Sequence, residues 1–248
     1  MPTATLNGCK HHWEETGAGG PLVMLHGASG SSKALTAHAK ELGSSFRVIT
    51  PDMRGMGQSE RVDRIPASAW VDDLRALLDH LKIEKANIYG LTVGARVAMR
   101  FAIDHPGRVS SLIVDMPIVY NEPEAQANVA SQFNVQTLPP KRREEFQNLH
   151  GEGWETVVAN YHKMRAQPDV QDYLDLRELS KKIAVPMLIM RGDEHGGAYS
   201  ADHAFTLYKN VPTSNLYIKP KSTAGVVLVS APQDAYAVIR AFLLPGRH

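Results

Sequence analysis

The sequence predicts an α/β fold, a mostly parallel sheet flanked by helices, with a helical cap inserted before the last two strands. Three observations carry that expectation. Short apolar runs of strand length alternate with amphipathic runs of helix length, the pattern of strands joined by crossover helices. The apolar runs stop at turn-forming pairs such as His26-Gly27 and Pro51-Asp52. Residues 117–184 carry helical spacing and no strand-like run, so they read as an insertion. The chain divides accordingly into a core, residues 1–116 and 185–248, and a cap, residues 117–184, within one structural domain.

Each element has its own warrant. Residues 21–25, all apolar, form a buried strand, and residues 46–50 form a second. From 68 to 81, Trp70, Val71, Leu74, Leu77, Leu78 and Leu81 recur at helical spacing, with Ser68 as the expected N-cap. Residues 86–89 form the strand before Gly90, and 93–105 form a helix ended by Pro106-Gly107. Residues 111–115, 186–190 and 215–218 supply three more strands, and 233–244 a closing helix. Within the insertion, helices are expected over 122–133, 140–149, 153–166 and 169–182. Trp154, Val157, Tyr161 and Met164 make an apolar stripe that packs cap on sheet, with its inner edge touching a ligand.

Bulk properties exclude several functions. With 248 residues and 43% hydrophobic content, the chain can bury a full core. The 27 basic and 26 acidic side chains nearly cancel, so charge gives no reason to expect nucleic acid or an anionic membrane. Cys9 is the single cysteine, so no internal disulfide forms, and a reducing, cytoplasmic setting fits. No signal-peptide pattern and no apolar run of about 20 residues is present. No paired CxxC, HExxH or EF-hand loop occurs, so neither a metal nor a cofactor is expected. The expected partner is a small molecule, and the oligomeric state stays open.

Leu25-His26-Gly27 after an early strand, the turn from Pro51-Asp52 to Ser59, and Gly90-Leu91-Thr92-Val93-Gly94, in this order, resemble motifs of the α/β-hydrolase family, and the resemblance extends over nearly the whole chain. Residues 25–30, Leu-His-Gly-Ala-Ser-Gly, look like its oxyanion loop. Residues 51–59, Pro-Asp-Met-Arg-Gly-Met-Gly-Gln-Ser, match its Asp-x-Arg-Gly-x-Gly-x-Ser turn. Gly90-Leu91-Thr92-Val93-Gly94 stands at the nucleophile elbow, with threonine where serine is usual. Residues 186–192 resemble the strand leading to the catalytic acid, and 231–236 the turn after the catalytic histidine.

The resemblance implies a triad that this sequence does not spell. The acid's usual place holds His195, with Asp193, Glu194 or Asp115 as alternatives. The histidine's usual place holds Gly225, and no histidine occurs between His203 and His248. Thr92 is therefore either a rebuilt nucleophile or a polar remnant, and His195 either its general base or a loop residue. The oxyanion donors implied are the Ala28 and Val93 N–H groups, with Ser29 and Trp154 beside the substrate. His26 reads as structural, and His150 and His162 as cap residues facing the pocket. His11, His12, His38, His80 and His105 read as surface or helix residues, and Ser222 and Thr223 as pocket-lining. Two functions stay open: an atypical enzyme acting on a small, largely apolar carbonyl or ester compound, by hydrolysis at a rebuilt site or by a non-hydrolytic lyase or isomerase step, or a non-catalytic binding protein that retains the pocket. A cofactor-free oxygenase is disfavoured, because such proteins keep the histidine.

Overall fold

The computed structural model describes residues 2–122, 132–193 and 199–244. An eight-stranded sheet runs in the order β1-β2-β4-β3-β5-β6-β7-β8. Its strands are β1 (Thr3–Leu6), β2 (Cys9–Thr16), β3 (Pro21–Leu25), β4 (Arg47–Pro51), β5 (Ala86–Leu91), β6 (Val109–Asp115), β7 (Met187–Gly192) and β8 (Ser214–Lys219). From β4 to β8 every pairing is parallel, while β1 and β2 join antiparallel at one edge.

Alternation along the strands builds two cores. Val23 and Leu25 of β3 face one layer, with Ile49 and Ile88. Leu22 and Met24 face the other, with Val48, Tyr89 and Ile113. Full burial of each such side chain contributes roughly 1.5–3 kcal/mol. Helices α2 (Ala69–His80) and α3 (Val93–Asp104) cover the first face. Helices α1 (Thr36–Leu42) and α9 (Pro232–Leu243) cover the second. The described part of the insertion holds α4 (Pro140–His150), α5 (Trp154–Arg165), α6 (Pro168–Tyr173) and a 3-10 turn, Leu179–Lys182. Helices α7 (Asp202–Asn210) and α8 (Val227–Ser230) flank β8.

Four local expectations are corrected. The edge hairpin β1–β2 is an addition, turned at Asn7-Gly8 with φ values of 49° and 71°. Asn-Gly is a strong hairpin signal, but β2 reads Cys-Lys-His-His-Trp-Glu-Glu-Thr and lacks an apolar run. Its histidines are buried rather than exposed: His12 Nδ1 lies 2.8 Å from Asp52 Oδ2, and His11 Nε2 lies 3.4 Å from Asp73. Ser68 precedes α2, but its hydroxyl donates to the Asp72 carboxylate (2.8 Å) instead of capping a backbone N–H. The helix expected over 169–182 is broken, because tertiary bonds capture its backbone. The Leu176 N–H donates to the Val119 carbonyl (2.8 Å), and the Leu174 carbonyl accepts from Arg96. The helix expected over 122–133 lies mostly outside the described residues.

The strand order reverses between β3 and β5, and such a switch point opens a crevice at the carboxyl ends of the strands. Helix α3 starts there, and its backbone lies close against β3. A Cβ on Gly94 would stand 2.5 Å from the carbonyl oxygens of Leu25 and His26. Gly94→Ala is therefore expected to destabilise the fold by about 3 kcal/mol, since both obstacles are backbone. Urea unfolding monitored by circular dichroism reads the change. An unchanged midpoint would show that α3 can move away from β3.

Candidate active site

The site is built on the strained turn between β5 and α3. Thr92 adopts φ 50° and ψ −107°, a conformation disfavoured for a β-branched residue and costing roughly 1–3 kcal/mol. Its surroundings enforce it. The Thr92 N–H donates to the Asp115 carbonyl at 3.1 Å, and its own carbonyl accepts from Ala95 N–H at 3.1 Å. The hydroxyl faces the loop after β3: a Cβ on Gly27 would meet Thr92 Oγ1 at 2.8 Å. Glycine at 27 thus leaves the space that the threonine hydroxyl occupies.

A cavity of about 350 Å³ opens above this turn. Gly27, Ala28, Thr92 and Val93 form its floor. Met116 and Val226 give it apolar walls, and Phe133 and Tyr161 of the cap close over it. Among the described residues, the Ala28 and Val93 N–H groups have no protein acceptor, and both residues border the cavity. The arrangement can hold a carbonyl oxygen on two preorganised donors, beside a hydroxyl.

The loop that carries Ala28 is held from below and from the cap. Asp52 is buried and accepts from His12 Nδ1 (2.8 Å), Ser32 N–H (2.6 Å) and Gln58 N–H (2.7 Å). Burial pushes its carboxyl up, but the bonds from His12, Gln58 and Ser32 and the nearby His26 bring it below the usual range. His26 Nε2 accepts from the Met53 N–H at 3.1 Å, which is the structural role expected of it. His150 bridges the cap to the loop: its Nδ1 accepts from Gly57 N–H (3.0 Å) and its Nε2 donates to the Ser29 carbonyl (2.9 Å).

Among the described residues, the partners that a threonine nucleophile would need do not border the cavity. Among the described residues that border the cavity, none is a histidine. The Gly225 carbonyl accepts the Gly192 N–H (2.8 Å), and α8 follows directly. Asp115 is committed to that helix: its carboxylate accepts the N–H groups of Val227 (2.9 Å) and Leu228 (2.8 Å) and the Tyr89 hydroxyl (2.9 Å). Burial raises the Asp115 carboxyl to about 6 against those three bonds. Asp193 closes a turn by accepting from Lys221 N–H (2.9 Å) and Ser222 N–H (2.8 Å). His195 and Glu194 lie outside the described residues.

Other expected site residues take different places. Ser29 is buried at φ 46° and acts through its carbonyl, not as a cavity wall. Trp154 is buried in a stack with Phe146, ring centroids 6.1 Å apart, and does not border the cavity. From its stripe Tyr161 reaches the cavity. His150 points to the loop rather than the pocket, while His162 borders a separate groove with Phe133 and Asn134. Ser222 and Thr223 do not border the cavity, and the Ser222 hydroxyl bonds the Ala224 carbonyl (2.6 Å). Cys9 is buried. Unanticipated from sequence is Arg96, a buried cation in the first turns of α3 (5% exposed). Its only sequence signal is a charge within an otherwise small and apolar helix start, Val-Gly-Ala-Arg-Val-Ala-Met.

Residues 20–194 match the model of the α/β hydrolase fold family, and the chain belongs to that family. A 2-hydroxymuconate semialdehyde hydrolase from Pseudomonas sp. (strain CF600) is 41% identical over 119 residues, 43% of this chain and 40% of that relative. The match thus spans well under half of that relative's length. A superfamily protein of Bacillus subtilis (strain 168), YisY, is 28% identical over 72% of this chain and 75% of its own. Among solved structures, a thermophilic esterase from Thermogutta terrifontis superposes with TM-score 0.78 at 25% identity, over 98% of this chain and 97% of that one. An epoxide hydrolase, CorEH, superposes with TM-score 0.80 at 20% identity, over 99% of both chains, a likeness of fold.

Two outcomes follow from this geometry. Thr92→Gly removes the strained Cβ and is expected to raise stability by about 1 kcal/mol in urea unfolding while deleting the hydroxyl. A loss of stability would show that the threonine side chain contributes more packing than strain. The second concerns pH. Burial depresses His150 and His203 from 6.5 to about 4, so both stay neutral in the fold while the unfolded chain protonates. Stability should therefore fall as pH drops from 6.5 towards 4. Asp115 works in the opposite sense between about 6 and 3.8, since its raised pKa lets the native state take up a proton first. His150→Gln keeps a donor and an acceptor but cannot titrate, so it should flatten the decline of Tm over that window. An unchanged slope would assign the proton uptake to other groups.

Proposed function

We propose that this protein acts on a small, largely apolar carbonyl or ester-type compound. Its carbonyl oxygen sits on the Ala28 and Val93 N–H groups, and its carbonyl carbon faces the Thr92 hydroxyl. The observation that carries this reading is the retained elbow: Thr92 is held at φ 50° and ψ −107°, at the floor of a cavity of about 350 Å³. Strain of that kind persists where surrounding structure enforces it, and such positions cluster at functional sites. Belonging to a family with hydrolase relatives supports the same reading. Oxyanion donors and binding alone accelerate acyl transfer by about 10³–10⁴-fold without a complete triad. His195 is the proposed proton acceptor for Thr92, from its position in the acid-bearing loop of the family.

A second reading has its own support. With Gly225 in the histidine's place and Asp115 committed to α8, the pocket would bind its ligand without turnover. Hydrolysis of short-chain p-nitrophenyl esters, with labelling by a phosphonate probe, separates the two. The enzymatic reading expects saturable turnover that falls at least tenfold in Thr92→Ala and in His195→Ala, with labelling lost in Thr92→Ala. Turnover unchanged by Thr92→Ala would remove threonine from the chemistry. Saturable binding with no turnover above buffer would favour the binding protein.

A further inference from the structure

Among the described residues, Arg96 presents a buried charge without an ion-pair partner. Its Nε donates to the Leu174 carbonyl at 3.1 Å, its Nη2 donates to the same oxygen, and its Nη1 donates to Asn121 Oδ1 at 2.9 Å. Both acceptors are neutral. A guanidinium carries five N–H groups, so two remain beyond those three bonds. No carboxylate of the described residues forms an ion pair with it. Asp175 acts on it through space but is held in an ion pair by Arg177. Burial lowers the Arg96 pKa to about 10, because removal of the cation from water outweighs that partial offset.

The space beside it is shaped for a small anion. Arg96 and Arg165 both line a pocket of about 30 Å³, with Asn121, Tyr161 and Tyr199. A water needs about 10–15 Å³ by the same kind of measure, so the pocket admits a group with two oxygens. Val93, Ile118, Tyr161 and Tyr199 line both this pocket and the larger cavity above Thr92, so the two are neighbouring compartments. Arg96 lies four residues after Thr92, one turn along α3, or about 6 Å of helix rise. A planar guanidinium matches a carboxylate in a two-pronged hydrogen bond.

We propose that Arg96, with Arg165 at the rim, forms a carboxylate-binding subsite at the inner end of the cavity, so that the compound held against Thr92 is a small carboxylic acid. This deepens the functional reading above and rests on it for the reacting end of the ligand. The subsite itself is tested by binding alone. The carboxylate anchors on Arg96, and the apolar middle of the ligand lies along Val93 and Ile118. The polar Tyr161 and Tyr199 stand where the two compartments meet.

The test is a set of paired probes, linear C4–C8 monocarboxylates and their primary amides, titrated calorimetrically into the full chain at neutral pH. The wild-type protein should bind at least one carboxylate tenfold or more tightly than its amide. Arg96→Met should abolish that preference, and Arg165→Met should reduce it severalfold. Thr92→Ala should leave it unchanged, which separates this subsite from the ester chemistry. Equal binding of acid and amide by the wild type would overturn the proposal. So would a preference retained in folded Arg96→Met. Because Arg96 also holds the Leu174 carbonyl, thermal unfolding checks each variant. Where Arg96→Met does not fold, Arg96→Lys replaces it: a point charge without the fork should weaken the preference, and an undiminished one overturns the proposal. A failure of ester turnover with the carboxylate preference intact would sink the acyl-transfer reading alone.

Discussion

The close approach of α3 to β3 is the constraint on which the site depends. Gly94 rests against the carbonyls of Leu25 and His26 with no room for a side chain. That contact starts the helix at the carboxyl edge of the sheet and forces the chain to turn sharply at Thr92. The sharp turn directs the Thr92 hydroxyl towards Gly27 and leaves the Val93 N–H at the cavity floor with no acceptor among the described residues. Helix, oxyanion loop and elbow therefore form one rigid object. The cap is tied to the same object through His150, which bonds Gly57 and Ser29.

Beside that floor, Asp115 ends β6 next to the elbow and serves α8, whose first N–H groups it accepts. The carboxylate thus holds the segment that follows Gly225. Positioning donors survive side-chain changes because they are backbone groups, independent of side-chain identity. What the site holds is a pair of backbone donors beside a strained hydroxyl. Arg96 adds a buried charge one helical turn from that hydroxyl.

Much of the fold was legible in the sequence. The runs from Pro21 to Leu25 and from Met187 to Met190 are apolar on both faces and announce themselves. The edge hairpin was not legible, because His11 and His12 are buried through carboxylate partners that lie at Asp73 and Asp52. Polar residues satisfied by distant partners look like surface residues in one dimension. The split of the helix expected over 169–182 has the same origin, since Val119 and Arg96 capture its backbone groups from other elements.

The sequence by itself determined the fold class and the tight turn at Gly90-Leu91-Thr92-Val93-Gly94 with its glycines. These depend on local residue type: small residues at a tight turn and apolar runs in strands. Only the tertiary structure decided which of the named residues share a cavity. It brought Ala28, Thr92 and Val93 together, left Ser29 and Trp154 outside, and placed Arg96 and Arg165 at one small pocket. The reason is physical. A side chain's chemistry is set by its neighbours and its access to water, and those neighbours lie tens of residues away along the chain.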